Sequence, residues 1–224
     1  MKSPLYDRVL LKLSGEILAG KKKFGIDPKQ AKYLANEISS IYKLGIGIGL
    51  IIGAGNIFRG IKASEQGMDR VTGDYLGMLA TIMNAISLQD ALEKNNCQTR
   101  TLSAINVSQI SEPYIRRRAI RHIEKGRIVI IAGGTGNPFF TTDSAAALRA
   151  TELGADVVIK GTKVDGIYNK DPMVYRNAKK YKKLSYTDVI RKDLKVMDLT
   201  AITLCKENNI PIRVFNVKKK GQLK

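Results

Sequence analysis

Short apolar runs alternate with amphipathic helical segments along the whole chain. A run of almost only apolar residues, bounded by turn residues, is typical of a strand that is buried on both faces of a sheet. We predict six strands of this kind, at residues 8–13, 46–52, 98–103, 128–132, 156–160 and 210–217. Buried strands joined by helical crossovers pair in parallel. The pattern therefore predicts an α/β fold, a three-layer α/β/α sandwich around a mainly parallel, doubly wound sheet.

Apolar residues at helical spacing predict the connecting helices. Asp27 and Pro28 open the first helix and Gly45 closes it, since aspartate caps a helix, proline fits its first turn and glycine ends it. A longer helix is predicted from Gly73 or Asp74 to about residue 94. Further helices are predicted from about residue 113, over residues 144–153 and near residues 200–208.

No internal repeat, low-complexity tract or linker interrupts this pattern. We therefore predict a single domain over residues 1–224, divided into functional halves at about 1–155 and about 156–224. The two cysteines are far apart and outside any metal-ligand spacing, so buried, reduced thiols are expected and zinc is not. The longest apolar runs are far shorter than a membrane span and the N-terminal residues lack a signal sequence, so we expect a cytoplasmic protein with no membrane partner.

The chain carries 38 Lys and Arg against 20 Asp and Glu, a formal net charge of +18. Such a balance suits nucleic acid, an acidic membrane surface or small anionic substrates. The basic runs are scattered, mostly lysine, and accompanied by no nucleic-acid-binding motif. A solvated, lysine-rich surface also explains them. The charge therefore does not select a function, and no obligatory nucleic-acid partner is expected.

The first predicted strand ends in Lys12, Leu13, Ser14 and Gly15. A lysine at this point reaches phosphate oxygens, while serine and glycine leave backbone amides open to an anion. Residues 15–22 nearly match a Walker A loop, but Lys22 replaces the Ser or Thr that holds magnesium. The predicted helix also begins too late, near Asp27, so we reject a P-loop.

A second glycine-rich turn, at residues 53–60, follows the second predicted strand. Its start imitates a dinucleotide-binding turn, but Phe58 stands where the third glycine belongs. Arg59 suits bidentate phosphate binding beside open amides, and a surface ion pair is the alternative. Asp74, at the predicted start of the next helix, either caps that helix or accepts hydrogen bonds from ribose hydroxyls.

The third turn, at residues 133–142, contains glycines, threonines, an Asn-Pro pair and two phenylalanines. Glycines allow sharp turns and threonines offer hydroxyls. Thr142 or Asp143 is predicted to cap the helix that follows, whose N-terminus attracts an anion. Phe139 and Phe140 are either plugs under the loop or rings that pack near a nucleotide base. Together with the other turns, this segment indicates a nucleotide site.

A fourth turn follows the predicted strand at residues 156–160 and runs to Asp171 and Pro172. Its glycines, its aromatic Tyr168 and its carboxylates suit the adenine and ribose of a second nucleotide. A plain β-turn is the alternative.

Six motifs occur in the order found in one family. They are KLSGE at 12–16, GNIFRG at 55–60, GDYLGMLAT at 73–81, GTGNPFFTTDSAA at 134–146, KVDGIY at 163–168 and KVMD at 195–198. The chain thereby resembles the bacterial uridylate kinases of the amino acid kinase family over essentially its whole length. GTGNPFFTTD is the most specific motif, because it separates these kinases from acetylglutamate, aspartate and carbamate kinases.

The resemblance implies phosphorylation of UMP by ATP in pyrimidine nucleotide synthesis, by direct in-line transfer. The positions that match the family's ATP-binding residues are Lys12, Leu13, Ser14, Gly15, Gly55, Arg59, Thr162, Tyr168 and Asp171. Those that match its UMP-binding residues are Ala54, Asp74, Thr135, Gly136, Asn137, Pro138, Phe139, Phe140, Thr141 and Thr142. The segment linked to GTP activation corresponds to Gly20, Lys21, Lys22, Lys23, Phe24 and Gly25. The first half of the domain is thus expected to bind UMP and the second half ATP.

The resemblance also implies a cytosolic homohexamer that uses Mg²⁺, is inhibited by UTP and, in many members, is activated by GTP. Magnesium is expected on the ATP phosphates rather than on direct protein ligands. The sequence departs from the family at two places. Ala54 replaces a more usual glycine, and the sequence ends at Lys224, where relatives continue with another short strand.

A phosphate oxygen of UMP is ionised near neutral pH, so no side chain has to remove a proton from it. The only histidine, His122, lies in a basic helical segment and is not expected to be catalytic. Catalysis is expected to rest on positioning and on charge neutralisation by Lys12 and Arg59, with Lys160 as a further cation. Asp143 and Asp198 either orient lysines or magnesium-bound water, or serve as helix caps.

Two rival functions stay open from the sequence. One is a kinase of the same fold that acts on a carboxylate or carbamate. The other is a basic, nucleic-acid-binding protein that keeps a kinase fold; strongly salt-dependent DNA or RNA binding without nucleotide turnover would identify it.

Overall fold

The computed structural model describes residues 4–224, apart from the side chain at position 62. The strands of its sheet are β1 (Arg8–Leu13), β2 (Gly47–Ile52), β3 (Thr99–Ser103), β4 (Glu112–Pro113), β5 (Ile128–Ala132), β6 (Val157–Thr162) and β7 (Ile212–Asn216). The helices are α1 (Glu16–Ala19), α2 (Pro28–Tyr42), α3 (Gly60–Glu65), α4 (Arg70–Glu93), α5 (Arg116–Glu124), α6 (Thr142–Leu153), α7 (Tyr186–Arg191) and α8 (Leu199–Glu207). A 3₁₀ turn spans Gly20–Lys22.

The seven strands form one parallel sheet in the order β4-β3-β5-β2-β1-β6-β7. The chain leaves β1 towards β2 on one side, whereas it leaves β6 towards β7 on the other side. The connections therefore diverge between β1 and β6. Such a switch point opens a crevice at the carboxyl edge of a parallel sheet, where ligands bind.

Apolar core fills both faces of the sheet, as expected for strands without polar alternation. On one face, Val9, Leu11 and Leu13 of β1 pack against α2 and α4. On the other face, Leu10 packs among residues of α5, α6 and α8. Because side chains alternate along a strand, Lys12 lies on the same face as Leu10, towards α6. The predicted three-layer sandwich with a doubly wound sheet is confirmed.

The strands follow the apolar runs of the sequence closely. β1 and β5 have the predicted bounds, and the other predicted strands differ by a few residues at their ends. β6 continues beyond residue 160 to Thr162, because its last residues still pair with β7. The sequence does not predict the short elements β4, α1, α3 and α7, which contain two to six residues and are too short for a periodic pattern.

The start of α4 corrects one prediction. The helix begins at Arg70 rather than at Gly73 or Asp74. Asp69 caps it, since the Asp69 carboxylate accepts a hydrogen bond of 2.8 Å from the backbone N–H of Thr72. The interpretation of Asp74 as a helix cap is therefore wrong, and its carboxylate is available for other contacts.

The caps of α2 and α6 lie at or next to their predicted positions. Asp27 caps α2, and Pro28 occupies its first turn, as predicted. α6 begins at Thr142, and its cap is Thr141 rather than Thr142 or Asp143.

None of the helices in the described part of the chain combines the length and the apolar character that a membrane span requires.

Candidate active site

A cleft of about 520 Å³ opens at the carboxyl edge of the sheet. The loops after β1, β2 and β5 line it, together with the first turns of α4. The predicted site residues that line this cleft are Lys12, Ser14, Gly15, Ala54, Gly55, Arg59, Asp74, Thr135, Asn137, Phe140, Thr141 and Thr142. Three turns that the sequence identifies separately therefore meet at one place. A larger groove, of about 1160 Å³, runs along the β7 edge, and none of the predicted site residues lines it.

The loops after β1 and β2 touch each other at Gly15. A Cβ atom on Gly15 would lie 2.1 Å from the carbonyl oxygen of Gly53, a distance that a side chain does not tolerate. Gly53 donates its backbone N–H to the carbonyl of Leu13 at 3.0 Å, which holds the two loops together. Glycine is required at position 15 because two main chains approach each other closely there.

Two buried asparagines attach the loop after β2 to α4. Asn56 and Asn84 exchange side-chain hydrogen bonds of 2.9 and 2.7 Å. Asn84 also donates to the carbonyl of Gly53, and Asn56 donates to the carbonyl of Gly25. All four amide hydrogens are thus used, so the pair leaves no unpaired donor in the core. Sequence analysis does not identify this pair, because no local pattern relates two amides 28 positions apart.

Two lysines lie side by side at the switch point. Lys12 of β1 and Lys160 of β6 occupy matched positions of the parallel strand pair. Asp143, in the first turn of α6, contacts both. Its Oδ1 lies 2.6 Å from Lys12 Nζ, and its Oδ2 accepts a hydrogen bond of 2.7 Å from Lys160 Nζ. The side chains of Lys12, Asp143 and Lys160 are only 10, 15 and 14% exposed. We call these three residues the lysine–aspartate cluster.

Burial and charge act in opposite directions on the pKa values in this cluster. Burial raises the pKa of Asp143, but the positive charges of Lys12 and Lys160 outweigh it and hold the pKa below its ordinary value. Burial lowers the pKa of the Lys160 ammonium, and the Asp143 charge offsets this only in part. Asp143 is therefore a carboxylate at neutral pH, which holds the lysines and does not supply a proton.

Asp198 connects the start of α8 to the start of α6. It caps α8 by accepting a hydrogen bond of 2.8 Å from the backbone N–H of Ala201. It also accepts hydrogen bonds from the hydroxyls of Ser144 and Thr141. In the structure Asp198 caps a helix, whereas Asp143 contacts two lysines.

Arg59 and Lys163 share a carboxylate at the mouth of the cleft. The Arg59 guanidinium contacts Oε1 of Glu16, and Lys163 Nζ lies 2.7 Å from its Oε2. The side chains of Arg59, Glu16 and Lys163 are 44, 31 and 62% exposed. We call these three residues the glutamate cluster. Neither Glu16 nor Lys163 is among the predicted site residues, although both belong to motifs quoted for the family resemblance.

Asp74 anchors the loop after β5 on α4. Its Oδ2 accepts hydrogen bonds of 2.8 Å from Arg70 Nε and from the backbone N–H of Phe139. Gly60 lies directly beside this carboxylate, since a Cβ atom there would be 2.7 Å from Asp74 Oδ1. One carboxylate thus bonds the loop after β5 to α4 and lies against the start of α3.

The two phenylalanines of the loop after β5 are not core plugs. Phe139 is 66% exposed and Phe140 is 49% exposed. Phe139 has a positive φ of 70°, an uncommon conformation for an aromatic residue, and its N–H is bound by Asp74. The Arg70 guanidinium lies over the Phe139 ring, 5.6 Å from its centre. Both rings therefore present surface that a ligand can cover.

Several predicted site residues do not line the cleft. These are Leu13, Gly136, Pro138, Phe139, Asp143, Lys160, Asp198, Thr162, Tyr168, Asp171 and the segment from Gly20 to Gly25. Thr162 and Asp171 accept hydrogen bonds from backbone N–H groups in local turns, and the Tyr168 hydroxyl donates to Asp165 at 2.6 Å. The histidine, His122, lies in α5, where its ring contacts Glu112.

Within residues 4–224 no group of three or more His, Cys, Asp or Glu side chains is arranged to hold a metal ion. Cys97 and Cys205 are both buried and unlinked. Burial raises the pKa of the Cys205 thiol to about 11, so this thiol is not reactive at neutral pH.

The fold and the cleft define an α/β protein with a cleft, lined by cationic side chains, at the carboxyl edge of a parallel sheet. The model of the amino acid kinase family matches residues 7–216. The chain therefore belongs to the amino acid kinase family.

Three solved structures are similar to this chain. The UMP kinase from Bacillus anthracis is 43% identical with a TM-score of 0.93, and the match covers 96% of this chain and 89% of that one. The UMP kinase from Ureaplasma parvum is 38% identical with a TM-score of 0.92, over 97% of this chain and 92% of that one. The uridylate kinase from Archaeoglobus fulgidus is 28% identical with a TM-score of 0.71, over 96% and 91%.

Replacing Asp143 by asparagine tests the lysine–aspartate cluster. The change leaves two buried ammonium groups without the carboxylate that contacts both of them, so we expect the free energy of unfolding to fall by about 3–5 kcal/mol in a urea titration. Asp193→Asn is the matched control. Asp193 pairs with Lys195 at the exposed surface, so we expect a change within about 0.5 kcal/mol.

The effect of Asp143→Asn on the free energy of unfolding should depend on pH in a definite direction. The pKa of Asp143 in the folded protein lies below the unfolded value of 3.8, so its stabilising contribution is complete above that value and is lost as the pH falls further. The stability difference between wild type and Asp143→Asn should therefore stay constant from pH 7 to about 5 and narrow at lower pH. A difference that is absent at pH 7 contradicts the charge assignment.

Proposed function

We propose that this chain is an ATP-dependent UMP kinase that forms ADP and UDP in pyrimidine nucleotide synthesis. The observation that carries the proposal is the pair of lysines at the switch point. Both are bound by Asp143, which is the last residue of the motif GTGNPFFTTD. Cations at this place neutralise charge between two polyanions. The similarity to proteins described as UMP kinases, at 43 and 38% identity, supports UMP as the acceptor.

We propose that UMP binds in the cleft between the loop after β5 and α4, in the first half of the domain. Asp74 uses Oδ2 for Arg70 and Phe139, which leaves Oδ1 for a ribose hydroxyl. The base lies at the exposed rings of Phe139 and Phe140. The further UMP-binding residues in this proposal are Ala54, Thr135, Gly136, Asn137, Pro138, Thr141 and Thr142.

ATP is proposed to bind across the switch point, between the loops after β1 and β2 and the segment that follows β6 in the second half. Lys12, Ser14, Gly15, Gly55 and Arg59 form the phosphate side of this site. Thr162, Tyr168 and Asp171, in the segment that follows β6, form its ribose and adenine side. The bond between Tyr168 and Asp165 holds the tyrosine ring in this segment.

Phosphoryl transfer needs no protein base in this proposal, because the accepting UMP phosphate oxygen is already ionised. Lys12, Lys160 and Arg59 neutralise the charge that spreads over the transferring group. Asp143 positions the two lysines and stays ionised throughout. Mg²⁺ would enter with ATP, mainly on its phosphate oxygens, because the carboxylates of Asp143 and Glu16 already bind protein cations, and would help to neutralise the transferring phosphoryl group.

Regulation by UTP and GTP is proposed on the family resemblance. UTP is proposed as an inhibitor and GTP as an activator. GTP acts at the segment from Gly20 to Gly25. The contact of Gly25 with the loop after β2 supports communication between this segment and the proposed phosphate site. Gly25 is bound to Asn56 twice, through its carbonyl to the Asn56 side chain and through its N–H to the Asn56 carbonyl.

Self-association into a homohexamer is supported by an apolar face on α4. Tyr75, Leu79 and Met83 recur at intervals of four residues, and their exposed fractions are 43, 44 and 55%. Apolar residues at this spacing form one stripe along a helix, and an exposed stripe of this kind is typical of an interaction surface. We propose that this stripe packs against a second copy of the chain.

One assay tests the kinase proposal against its rivals. ADP release is measured in parallel with UMP, CMP, acetylglutamate and aspartate, and UDP is identified directly. We expect turnover with UMP. Turnover confined to an amino acid identifies a different kinase, and salt-dependent DNA or RNA binding without any turnover identifies a nucleic-acid-binding protein. Repeating the UMP reaction with GTP and UTP measures the proposed regulation.

Lys12→Ala tests the catalytic assignment. The variant keeps a one-to-one pair of Asp143 and Lys160, so we expect it to fold, while turnover falls on the order of 10²–10³-fold because a charge donor is lost. UDP formation and a thermal melt are measured together. Lys195→Ala, which removes an exposed surface lysine, should leave turnover unchanged. Near-normal turnover of a folded Lys12→Ala protein refutes the assignment.

A double substitution, Leu79→Lys with Met83→Lys, tests the α4 stripe. Placing charges on a surface that packs against its own copy introduces repulsion, so we expect the mass measured by light scattering to fall. Val174→Lys, at an apolar position that is 68% exposed outside the stripe, is the control and should leave the mass unchanged. An unaltered mass in the double variant excludes the stripe as the interface.

A further inference from the structure

The glutamate cluster lies where three neighbouring loops leave the sheet. β2, β1 and β6 are adjacent, so the loops that follow them meet side by side at the carboxyl edge. Arg59 belongs to the loop after β2, Glu16 begins α1 in the connection that follows β1, and Lys163 belongs to the loop after β6. The carboxylate of the middle connection therefore bridges a cation from each side.

The glutamate cluster and the lysine–aspartate cluster share one design and differ in burial. Each shares a single carboxylate between two cations, so each carries one net positive charge. The lysine–aspartate side chains are 10–15% exposed, whereas those of the glutamate cluster are 31–62% exposed. Ion pairs in water contribute little to stability and exchange partners readily, while buried ones are held strongly.

We propose that the glutamate cluster is an exchangeable site for the polyphosphate of the donor nucleotide. Phosphate oxygens displace the Glu16 carboxylate from Arg59 and Lys163, and Lys163 thereby becomes a phosphate-binding residue. The identification of the nucleotide as ATP rests on the proposed function. Arg59 is already placed in the ATP site by that function, whereas the roles of Lys163 and Glu16 are new.

The chemistry of the three side chains supports this exchange. A guanidinium offers a planar pair of donors and an ammonium offers a mobile one, so together they bind a polyphosphate from two sides. The Glu16 carboxylate occupies the same donors and therefore competes with phosphate. Once displaced, it remains partly exposed and is solvated by water, so the exchange leaves no buried, unpaired charge.

Replacing Lys163 and replacing Glu16 should consequently change ATP affinity in opposite directions. ATP with Mg²⁺ is titrated calorimetrically into each variant in the absence of UMP. We expect Lys163→Ala to raise the Kd about tenfold, because a charged contact to phosphate is lost. We expect Glu16→Gln to lower the Kd about threefold or more, because the competing charge is removed. AMP, which lacks the β- and γ-phosphates, should bind all variants with unchanged affinity.

Matched controls remove the same residue types outside the cleft. Lys195→Ala removes an exposed lysine and Glu93→Gln removes an exposed glutamate that pairs with Arg100. Neither should change the Kd for ATP by more than about twofold. A decrease in ATP affinity that also appears in these controls refutes the site and indicates a general effect of surface charge.

Two results overturn the proposal directly. One is an unchanged Kd for ATP in Lys163→Ala. The other is a weaker, rather than tighter, binding in Glu16→Gln, which would make Glu16 a scaffold for Arg59. The wild type is assayed for UDP formation alongside. If it binds ATP without forming UDP, the kinase function fails while the exchange site is still decided by the two variants. If it binds no ATP, both proposals fail.

Discussion

The site depends on the attraction of Asp143 for two lysines that would otherwise repel each other. Lys12 and Lys160 occupy matched positions on adjacent strands, both are nearly buried, and both ammonium groups contact the same carboxylate. For scale, two unit charges about 5 Å apart repel by about 3 kcal/mol at the effective dielectric constant of a protein. The first turn of α6 supplies the carboxylate. The charge balance at the carboxyl edge of the sheet therefore depends on where α6 begins.

Stability alone does not explain this arrangement. Well-packed apolar side chains in place of a buried ion cluster are often neutral or stabilising. Here the cluster lies at the point where the connections of the sheet diverge and where a cleft opens. Its effect is to keep cations in a poorly solvated place, where they act more strongly on a phosphoryl group than in water. The arrangement therefore serves the proposed chemistry rather than the fold.

Regular elements were predictable from the sequence because their signal is local. The bounds of β1 and β5 follow from apolar runs that end just before serine or glycine turns. The start of α4 is not predictable from the sequence, because Asp69 and Asp74 are equally suitable as helix caps by their local chemistry. The structure resolves the choice through a tertiary contact, since Asp74 is engaged by the N–H of Phe139, 65 positions away.

The same distinction applies to the candidate site. Lys12 and Arg59 are predictable because they stand at a strand end and in a glycine-rich turn, and Asp74 because it follows Gly73 at an expected helix start, although α4 begins at Arg70. The amide pair of Asn56 and Asn84 is not, because its partners come from a loop and from the middle of a helix. Glu16 is not predictable for a different reason. A carboxylate is not expected in a phosphate site, because it repels phosphate. Its presence is explained only by its contacts with the cations Arg59 and Lys163.

The ratio of two cations to one carboxylate is the common feature of both clusters. A one-to-one pair is neutral and offers little field to an approaching polyanion, while an uncompensated pair of buried cations loses protons or destabilises the fold. Burial lowers the pKa of Lys160, and the charge of Asp143 acts against that shift. Sharing one carboxylate between two lysines still leaves one net positive charge in the cluster. In the exposed cluster the same ratio has another consequence, because the carboxylate itself can be displaced by the ligand that the cations attract.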